Sequence, residues 1–371
     1  MHAETAMLKQ RLEAGRRQAK RLLSYGYDEG PKQYLLRLAD QVDEAAEFDG
    51  FGSGEIYRQF DAEVARILGK PAALFFPTGR GAQMAVLRAW QDIGRSRTVA
   101  LHPRCHLAEA ERMAYQRGAG AVTIPIGDVC SPLTIENVES LTEDPGLICL
   151  ESPMLALGCR LIAETDLKGI YEWASQRAIP VHLDGARLWE AACGYGCTPA
   201  QVAAYADSVF VSFYKCLGAA SGAAIAGPEK LIARLRVLRE ETGGCPPKNY
   251  PMVADSLLSM RRKLATVSLY RAKAVSLAKT FGAVEDVIVN PAPPHTDTFR
   301  VILRGTERAL REATLQVANE TGIWMVDVSP PLGIDGYCQF QVVVGDATLD
   351  IDDSEAGEAL ALLRDRMTIV S

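Results

Sequence analysis

Two residues that follow apolar segments have types and positions that could do chemistry together. Asp184 ends the segment Val181-His-Leu-Asp184, and Lys215 lies just beyond the segment Ser208-Val-Phe-Val-Ser212. A carboxylate at the carboxyl end of a buried strand points into the crevice where open α/β sheets bind ligands. The two segments therefore predict an acid and an amine at one edge of the same sheet.

This pair of groups is what pyridoxal 5′-phosphate (PLP) chemistry requires. A lysine amine forms a Schiff base with the cofactor aldehyde, and a carboxylate keeps the pyridine nitrogen protonated, so that the ring can accept electron density from a bond breaking at the substrate Cα. Taken alone, Lys215 is also explained as a solvated lysine at a strand end, and Asp184 as a helix N-cap. Their order after apolar segments, with Arg187 on the same loop, favours a cofactor site.

The cofactor phosphate needs an anion site, and residues 76–83 offer one. The segment Phe-Pro-Thr78-Gly79-Arg80-Gly81-Ala-Gln ends a strand and leads into a helix that we expect to begin near Gly81. Glycines allow the backbone to approach the ligand, and the free N–H groups of a helix N-terminus suit a phosphate. Many strand-to-helix turns have this pattern, so the loop alone does not identify a phosphate site. The Asp184–Lys215 pair is what favours that interpretation.

The elements that must position these groups alternate along the chain. Short apolar segments predict strands at 72–76, 98–102, 121–126, 146–150, 180–183, 208–212 and 223–226. Helical periodicity predicts helices at 5–23, 33–47, 56–68 and 166–177. This alternation is typical of an α/β fold with a mostly parallel central sheet that helices cover on both faces.

A turn rich in glycine and proline at 242–251 interrupts the alternation and marks a boundary. We predict an N-terminal helical segment at 1–47, a large PLP-binding domain at 48–250 and a small C-terminal domain at 251–371. The small domain has an α+β pattern. It has predicted helices at 252–281, 307–321 and 353–366 and predicted strands at 298–303, 323–327 and 338–344.

Three strings resemble those of the low-specificity L-threonine aldolases in the β-eliminating lyase group. They are Phe-Pro-Thr-Gly at 76–79, Asp-Gly-Ala-Arg-Leu-Trp at 184–189 and Lys-Cys-Leu-Gly-Ala at 215–219. The resemblance covers roughly residues 45–350. It implies the PLP-dependent transferase-like fold type I. It also implies cleavage of the Cα–Cβ bond of a β-hydroxy-α-amino acid to glycine and an aldehyde.

The resemblance also implies roles for individual residues. Lys215 and His106 are the implied catalytic residues, because His106 falls where the family has a histidine stacked over the PLP ring near the substrate hydroxyl. Arg187 falls where an arginine binds the substrate carboxylate, which a guanidinium does in bidentate fashion. The predicted cofactor-binding residues are Lys215, Asp184, Arg187, Thr78, Gly79, Arg80, His106 and Ser212.

The chain departs from the family pattern around the substrate. A second carboxylate-binding arginine is expected near the penultimate strand, where this chain has Cys338-Gln339-Phe340-Gln341. We therefore predict Arg187, Gln339 and Gln341 as the substrate-binding residues. The usual glycine after the lysine is Cys216. Because these changes affect the substrate and leave the cofactor residues in place, β-elimination, transamination and racemisation stay open as alternative reactions, as does a non-catalytic binding role.

Other histidines and cysteines have plainer explanations. The segment His102-Pro-Arg-Cys105-His106, even with Cys193 and Cys197, lacks the tight paired spacing of a zinc site, so no metal is predicted. His182 lies inside an apolar strand and is interpreted as a hydrogen-bonded core histidine.

Composition narrows the class of protein. A net charge of −6 with scattered lysines and arginines argues against a nucleic-acid partner, and no apolar run is long enough to span a bilayer. Residues 1–23 lack the apolar stretch of a signal peptide, and nine cysteines, an odd number, are typical of reduced thiols, so we expect a cytoplasmic protein. The resemblance implies a homodimer or homotetramer that binds an amino acid. It also places Lys248 at the position of a family residue that contacts the cofactor phosphate bound in the neighbouring subunit.

Overall fold

The computed structural model describes residues 2–26, 29–94 and 96–370. The chain divides into two compact units, one formed by residues 29–265 and the other by residues 1–28 together with 266–371. These divisions differ from the predicted boundaries at 47 and 250. The N-terminal helix packs within the same unit as the C-terminal segment, and the helix after residue 250 packs within the large unit.

The N-terminal part of the smaller unit is a helix followed by a short strand. Helix α1 (His2–Gln18) ends earlier than the predicted 5–23, and strand β1 (Arg21–Leu22) pairs in parallel with a strand near residue 323. The change from helix to strand buries Leu22 and Leu23, which are 7% and 0% exposed.

The large unit contains a seven-stranded sheet. Its strands are β2 (Ala72–Phe76), β3 (Thr98–Leu101), β4 (Val122–Pro125), β5 (Leu147–Glu151), β6 (Val181–Asp184), β7 (Ser208–Ser212) and β8 (Ala223–Gly227). Their order in the sheet is β2-β8-β7-β6-β5-β3-β4, and only β8 runs antiparallel to its two neighbours. The predicted α/β fold with a mostly parallel central sheet is confirmed.

Helices connect these strands and pack on the sheet. They are α2 (Pro31–Ala39), α3 (Glu55–Leu68), α4 (Gly79–Gly94), α5 (His106–Glu109), α6 (Ala114–Arg117), α7 (Ile135–Glu139), α8 (Glu164–Gln176), α9 (Leu188–Tyr195), α10 (Pro199–Ala203), α11 (Glu229–Glu241) and α12 (Tyr250–Lys263). Strands β5 to β8 are buried along their whole length, which explains why β5, β7 and β8 consist mainly of apolar residues. Strand β6 differs, because its buried residues include His182 and Asp184.

The rest of the smaller unit is α+β, as predicted. It comprises α13 (Val267–Gly282), β9 (Ile288–Asn290), β10 (Thr298–Arg304), α14 (Glu307–Thr321), β11 (Ile323–Trp324), β12 (Tyr337–Val343), α15 (Asp346–Leu349) and α16 (Asp353–Val370). Strands β12, β10 and β9 form an antiparallel sheet, and the core of this unit lies between that sheet and its helices. The single helix predicted at 252–281 is in fact two helices separated by a 3₁₀ turn at Leu264–Thr266.

In the ranges that the structure describes, no helix is both long enough and apolar enough to cross a membrane.

Candidate active site

A cavity of about 230 Å³ opens at the carboxyl ends of β5, β6 and β7, beside the start of α4. Parallel strands carry their carboxyl ends to one edge of the sheet, and this is where open α/β sheets bind ligands. Six of the predicted site residues line it, namely Gly79, Arg80, His106, Asp184, Arg187 and Lys215. The other lining residues are Gln83, Glu111, Glu151, Pro153, Ala186, Phe210 and Tyr214.

Asp184 is the buried acid of this cavity. It is the last residue of β6, lies beside Glu151 of β5 in the parallel register, and is 5% exposed. Its Oδ1 accepts a hydrogen bond of 3.1 Å from the backbone N–H of Ala186. Burial raises the pKa of Asp184, while the positive charges of Lys215 and His106 oppose the rise. A cationic N–H group inside the cavity would therefore be a favourable partner for this carboxylate.

Lys215 follows β7 and reaches the same cavity. Burial, helped by the charge of Arg187, lowers the pKa of its amine from 10.5 to about 8, although three carboxylates oppose the shift. An amine must be neutral to attack a carbonyl, so the lowered pKa makes Lys215 a competent nucleophile near neutral pH.

His106 begins α5 and is held by two acids. Its Nδ1 lies 3.1 Å from Oε1 of Glu111, and its backbone N–H donates to Oε2 of Glu151 at 2.5 Å. The hydrogen bond with Glu111 raises the pKa of His106, and burial opposes the rise. With Nδ1 directed at Glu111, Nε2 is the ring nitrogen that can exchange a proton with a ligand.

Glu111 and Glu151 also line the cavity, although neither is among the residues predicted from the sequence. Glu111 has a side chain that is 2% exposed, and its Oε2 has no hydrogen-bond partner in the described part of the chain. Glu151 ends β5, accepts from the backbone of His106 and Leu155, and has a pKa that burial raises to about 7. The signals in the sequence were an acid five residues after His106 and an acid directly after the strand predicted at 146–150.

The predicted anion site lies at the start of α4, a helix of 16 residues that begins at Gly79 and not at the predicted Gly81. The Oγ1 of Thr78 accepts a hydrogen bond from the N–H of Gly81 at 3.2 Å, so this side chain caps the helix and is not among the residues that line the cavity. Arg80 lines the cavity and donates to the carbonyl of Ala110 at 3.1 Å. A Cβ on Gly79 would lie 2.7 Å from the hydroxyl of Tyr214, so this hydroxyl packs closely against the first residue of the helix.

Ser212 supports the site through two hydrogen bonds. Its Oγ donates to the carbonyl of Ala186 at 2.7 Å, and its own carbonyl accepts from Nε1 of Trp189 at 3.0 Å. It is 1% exposed and is not among the residues that line the cavity. In this structure Ser212 therefore holds the loop that follows Asp184 and carries Arg187.

Gln339 and Gln341, the predicted substrate contacts, lie in the other unit on strand β12. They alternate with Cys338, Phe340 and Val342, which belong to the hydrophobic core of that unit, so the glutamines are on the opposite face of the strand. The side-chain amide of Gln339 donates to the carbonyl of Pro331 at 3.1 Å.

His102, which belongs to the zinc alternative, and the core histidine His182 both have other hydrogen-bond partners. Nε2 of His102 lies 2.7 Å from the carbonyl of Asp128, and its Nδ1 accepts from the N–H of Arg104 at 3.0 Å. His182 is fully buried and hydrogen-bonded to Ser208 and Gln83, as predicted. Among the residues that the structure describes, no group of three or more histidine, cysteine or acidic side chains could hold a metal ion.

The residues of the cavity fit the chemistry of PLP. The amine of Lys215 suits an aldehyde, the buried carboxylate of Asp184 suits a protonated pyridine nitrogen, and the helix end at Gly79 suits a phosphate. One further observation points to a missing ligand, because the Nε2 of Gln83 is buried without an acceptor among the described residues while its Oε1 contacts His182.

Comparisons with known proteins show which family this chain is similar to. The sequence model of the family described as "Beta-eliminating lyase" matches residues 40–304. Low-specificity L-threonine aldolase 1 of Arabidopsis thaliana is 26% identical over 288 residues, which are 75% of this chain and 80% of that protein.

Two solved structures are similar over nearly their whole length. A Listeria monocytogenes protein assigned as an L-allo-threonine aldolase has a TM-score of 0.91 and 28% identity, covering 97% of this chain and 99% of that one. An Exiguobacterium protein assigned as an aromatic amino acid β-eliminating lyase/threonine aldolase has a TM-score of 0.90 and 31% identity, covering 96% and 99%.

Proposed function

The chain belongs to the β-eliminating lyase family, and from that membership we propose that it cleaves the Cα–Cβ bond of a β-hydroxy-α-amino acid, as a threonine aldolase does, releasing glycine and an aldehyde. It is a PLP-dependent lyase of fold type I. The observation that carries the proposal is that one cavity brings together the amine of Lys215, the carboxylate of Asp184 and the imidazole of His106.

Three groups hold the cofactor in this proposal. When bound, PLP supplies a ring that withdraws the electrons left at Cα after the bond breaks. Asp184 would hold a proton on the pyridine nitrogen, because a cationic N–H group is a favourable partner for a carboxylate whose pKa burial raises. The N-terminus of α4 at Gly79 binds the phosphate, with Thr78 and Arg80 beside it, and Lys215 forms the covalent link. Ser212 stays a predicted cofactor contact.

His106 accepts the proton of the substrate β-hydroxyl at Nε2 in this mechanism. The carboxylate of Glu111 orients the ring through Nδ1 and stabilises the imidazolium that forms, since their hydrogen bond raises the pKa of His106. The backbone hydrogen bond from His106 to Glu151 fixes the position of the ring relative to Asp184.

Arg187 binds the substrate carboxylate. Its guanidinium lines the cavity and is close enough to Lys215 to lower the pKa of that amine. Gln339 and Gln341 remain predicted substrate contacts, by the resemblance described above.

A second reaction on the same cofactor is favoured by one observation, the glutamines at 339 and 341 where the family pattern has an arginine. The substrate bond that lies most nearly perpendicular to the ring is the one that breaks. A weaker hold on the carboxylate would therefore turn the substrate toward β-elimination, transamination or racemisation.

Product analysis tests the proposal. Incubated with PLP and threonine or phenylserine, the protein is expected to release glycine and the matching aldehyde, and Lys215→Ala is expected to abolish turnover and covalent capture of PLP by borohydride. Pyruvate and ammonia from serine would identify an eliminating lyase. An active Lys215→Ala variant would remove Lys215 from its role.

We also propose that the enzyme acts as a homodimer or homotetramer in the cytoplasm. Support for the assembly comes from the large apolar side chains that segment 35–51 exposes, namely Leu35, Leu36, Phe48 and Phe51. The implied phosphate contact across subunits, Lys248, lies over the ring of Phe48 at 4.6 Å. Buried thiols such as Cys105 and Cys149 are in keeping with a reducing compartment.

A further inference from the structure

Tyr214 stands between the end of β7 and Lys215, and its side chain points away from the core. Phe213, its neighbour, is fully buried and packs edge-on against Phe60, with ring centroids 4.9 Å apart. Successive side chains of an extended segment point to opposite sides. Tyr214 accordingly lines the cavity and is 40% exposed.

The hydroxyl of Tyr214 lies at the N-terminus of α4. A Cβ placed on Gly79, the first residue of that helix, would lie 2.7 Å from this oxygen, so the hydroxyl is in close contact with the start of the helix. The hydroxyl therefore reaches the place where the helix end and its free N–H groups favour an anion.

This hydroxyl is available as a donor. It makes no hydrogen bond to another residue in the described part of the chain. Burial and the nearby carboxylate of Asp184 raise the pKa of Tyr214, while Arg187 and Arg80 oppose the rise, so the phenol keeps its proton at neutral pH. A protonated phenol beside a helix N-terminus offers one O–H to an oxygen of an anionic ligand.

We propose that Tyr214 is a cofactor-binding residue whose hydroxyl donates a hydrogen bond to the phosphate of PLP at the N-terminus of α4. The proposal rests on the PLP site described above and adds a residue to it. The hydroxyl of Tyr214 and the N-terminus of α4 then both bind the phosphate, while the next residue, Lys215, binds the aldehyde. One short turn after β7 thus positions both ends of the cofactor.

The test uses the apoenzyme and three probes, namely PLP, pyridoxal without the phosphate, and inorganic phosphate as a competitor of PLP. Tyr214→Phe keeps the ring and removes only the hydroxyl. A hydrogen bond to a charged group predicts a dissociation constant for PLP that is roughly tenfold higher in the variant. Competition by phosphate should weaken in parallel, and the dissociation constant for pyridoxal should change less than about twofold.

Two controls separate binding from folding. Tyr205→Phe removes a hydroxyl that donates to Glu164 away from the cavity, and it should leave all three probes unchanged. The melting temperature of the apoenzyme should be the same for Tyr214→Phe and the wild type. If it falls, the ratio of PLP to pyridoxal affinity within the variant still decides, because a loss of folded protein affects both ligands equally.

Two results would overturn the proposal: an unchanged affinity for PLP, or an equal loss for PLP and pyridoxal, which would assign the hydroxyl to the ring. A wild-type protein that binds no PLP is a different result, because it would remove the cofactor site itself and the proposed function with it.

Discussion

Lys215 has charged neighbours of both signs, and their balance sets its reactivity. Burial disfavours the ammonium form and Arg187 adds repulsion, while Asp184, Glu190 and Glu151 stabilise the charge. The first two effects prevail, and the pKa of the amine falls to about 8. At pH 7 a fraction of roughly one tenth of the amine is then neutral, against less than about one in a thousand for an ordinary lysine.

We expect the reactivity of Lys215 in the apoenzyme to rise with pH around a midpoint near 8. Below the pKa each pH unit changes the neutral fraction about tenfold, and above it the rate becomes constant. Trace acetylation at a series of pH values, read by mass spectrometry of the peptide that contains Lys215, measures this midpoint. Arg187→Gln removes a repelling charge and should move the midpoint to higher pH.

Arg177→Gln is the matched control, because Arg177 lies over the ring of Trp173 and does not line the cavity. It should leave the midpoint in place. A wild-type midpoint near that of a free lysine, with no response to Arg187→Gln, would show that the amine is not desolvated in the folded apoenzyme.

At this scale the sequence identifies some residues of the site and not others. Asp184 and Lys215 are predictable as a pair, because each follows an apolar segment and Arg187 lies on the same loop. Glu111 is not, since its distance of five residues from His106 also occurs in the surface pair Arg104–Glu109. Only the fold shows which of these two acids is buried beneath a histidine.

The strands of the large unit are well predicted where a buried apolar run defines their bounds. The bounds of β7 at 208–212 are those expected from its apolar run. The helix predicted at 33–47 ends at Ala39, and Leu35 and Leu36 on its apolar side are exposed. Helical periodicity thus predicts residues 33–39 correctly and residues 40–47 wrongly. The described residues of this unit leave Leu35 and Leu36 exposed, and a sequence pattern does not reveal what an apolar face packs against.

Helix α3 supports the turn that carries the reactive lysine. Phe60 is fully buried, with its ring 5.0 Å from that of Phe75 and 4.9 Å from that of Phe213. Phe213 immediately precedes Tyr214 and Lys215, so this aromatic cluster connects the helix to the site through one strand end. Edge-to-face pairs add to the energy of burial.

We expect Phe60→Ala to lower the free energy of unfolding by about 3–5 kcal/mol, because it removes a large buried ring and leaves a cavity. Urea denaturation followed by fluorescence measures the change. Val237→Ala on α11 is the control, since Val237 is 45% exposed and should change the free energy by less than about 0.5 kcal/mol. A loss of under about 1 kcal/mol for Phe60→Ala would mean that the cluster collapses around the gap.

Each compact unit buries its own hydrophobic clusters among the described residues. The smaller unit joins residues from both ends of the sequence, as the pairing of Arg21 with Ile323 shows, and no local pattern near residue 21 could reveal that partner. This is why the domain boundaries are harder to predict than the elements. Strand β1 is only two residues long, and its register is set by tertiary contacts.

Segment 35–51 exposes four large apolar side chains to solvent. Leu35, Leu36, Phe48 and Phe51 are 55–69% exposed. A groove of about 500 Å³ is lined in part by residues of the same segment, namely Gln41, Asp43, Ala45, Ala46 and Glu47. Soluble monomers rarely expose large contiguous apolar patches. A second copy of this chain is the partner that the family resemblance implies.

We therefore expect the wild type to have a solution mass that is a multiple of the 40.3 kDa chain, measured by light scattering during gel filtration. The double variant Leu36→Glu and Phe48→Glu should shift the mass toward one chain, because an interface that buries two unpaired carboxylates loses several kcal/mol. Ile334→Glu, at a side chain that is 57% exposed, should leave the mass unchanged. A wild type with the mass of one chain would contradict the homo-oligomer, and an unaltered mass in the double variant would place the interface on another surface.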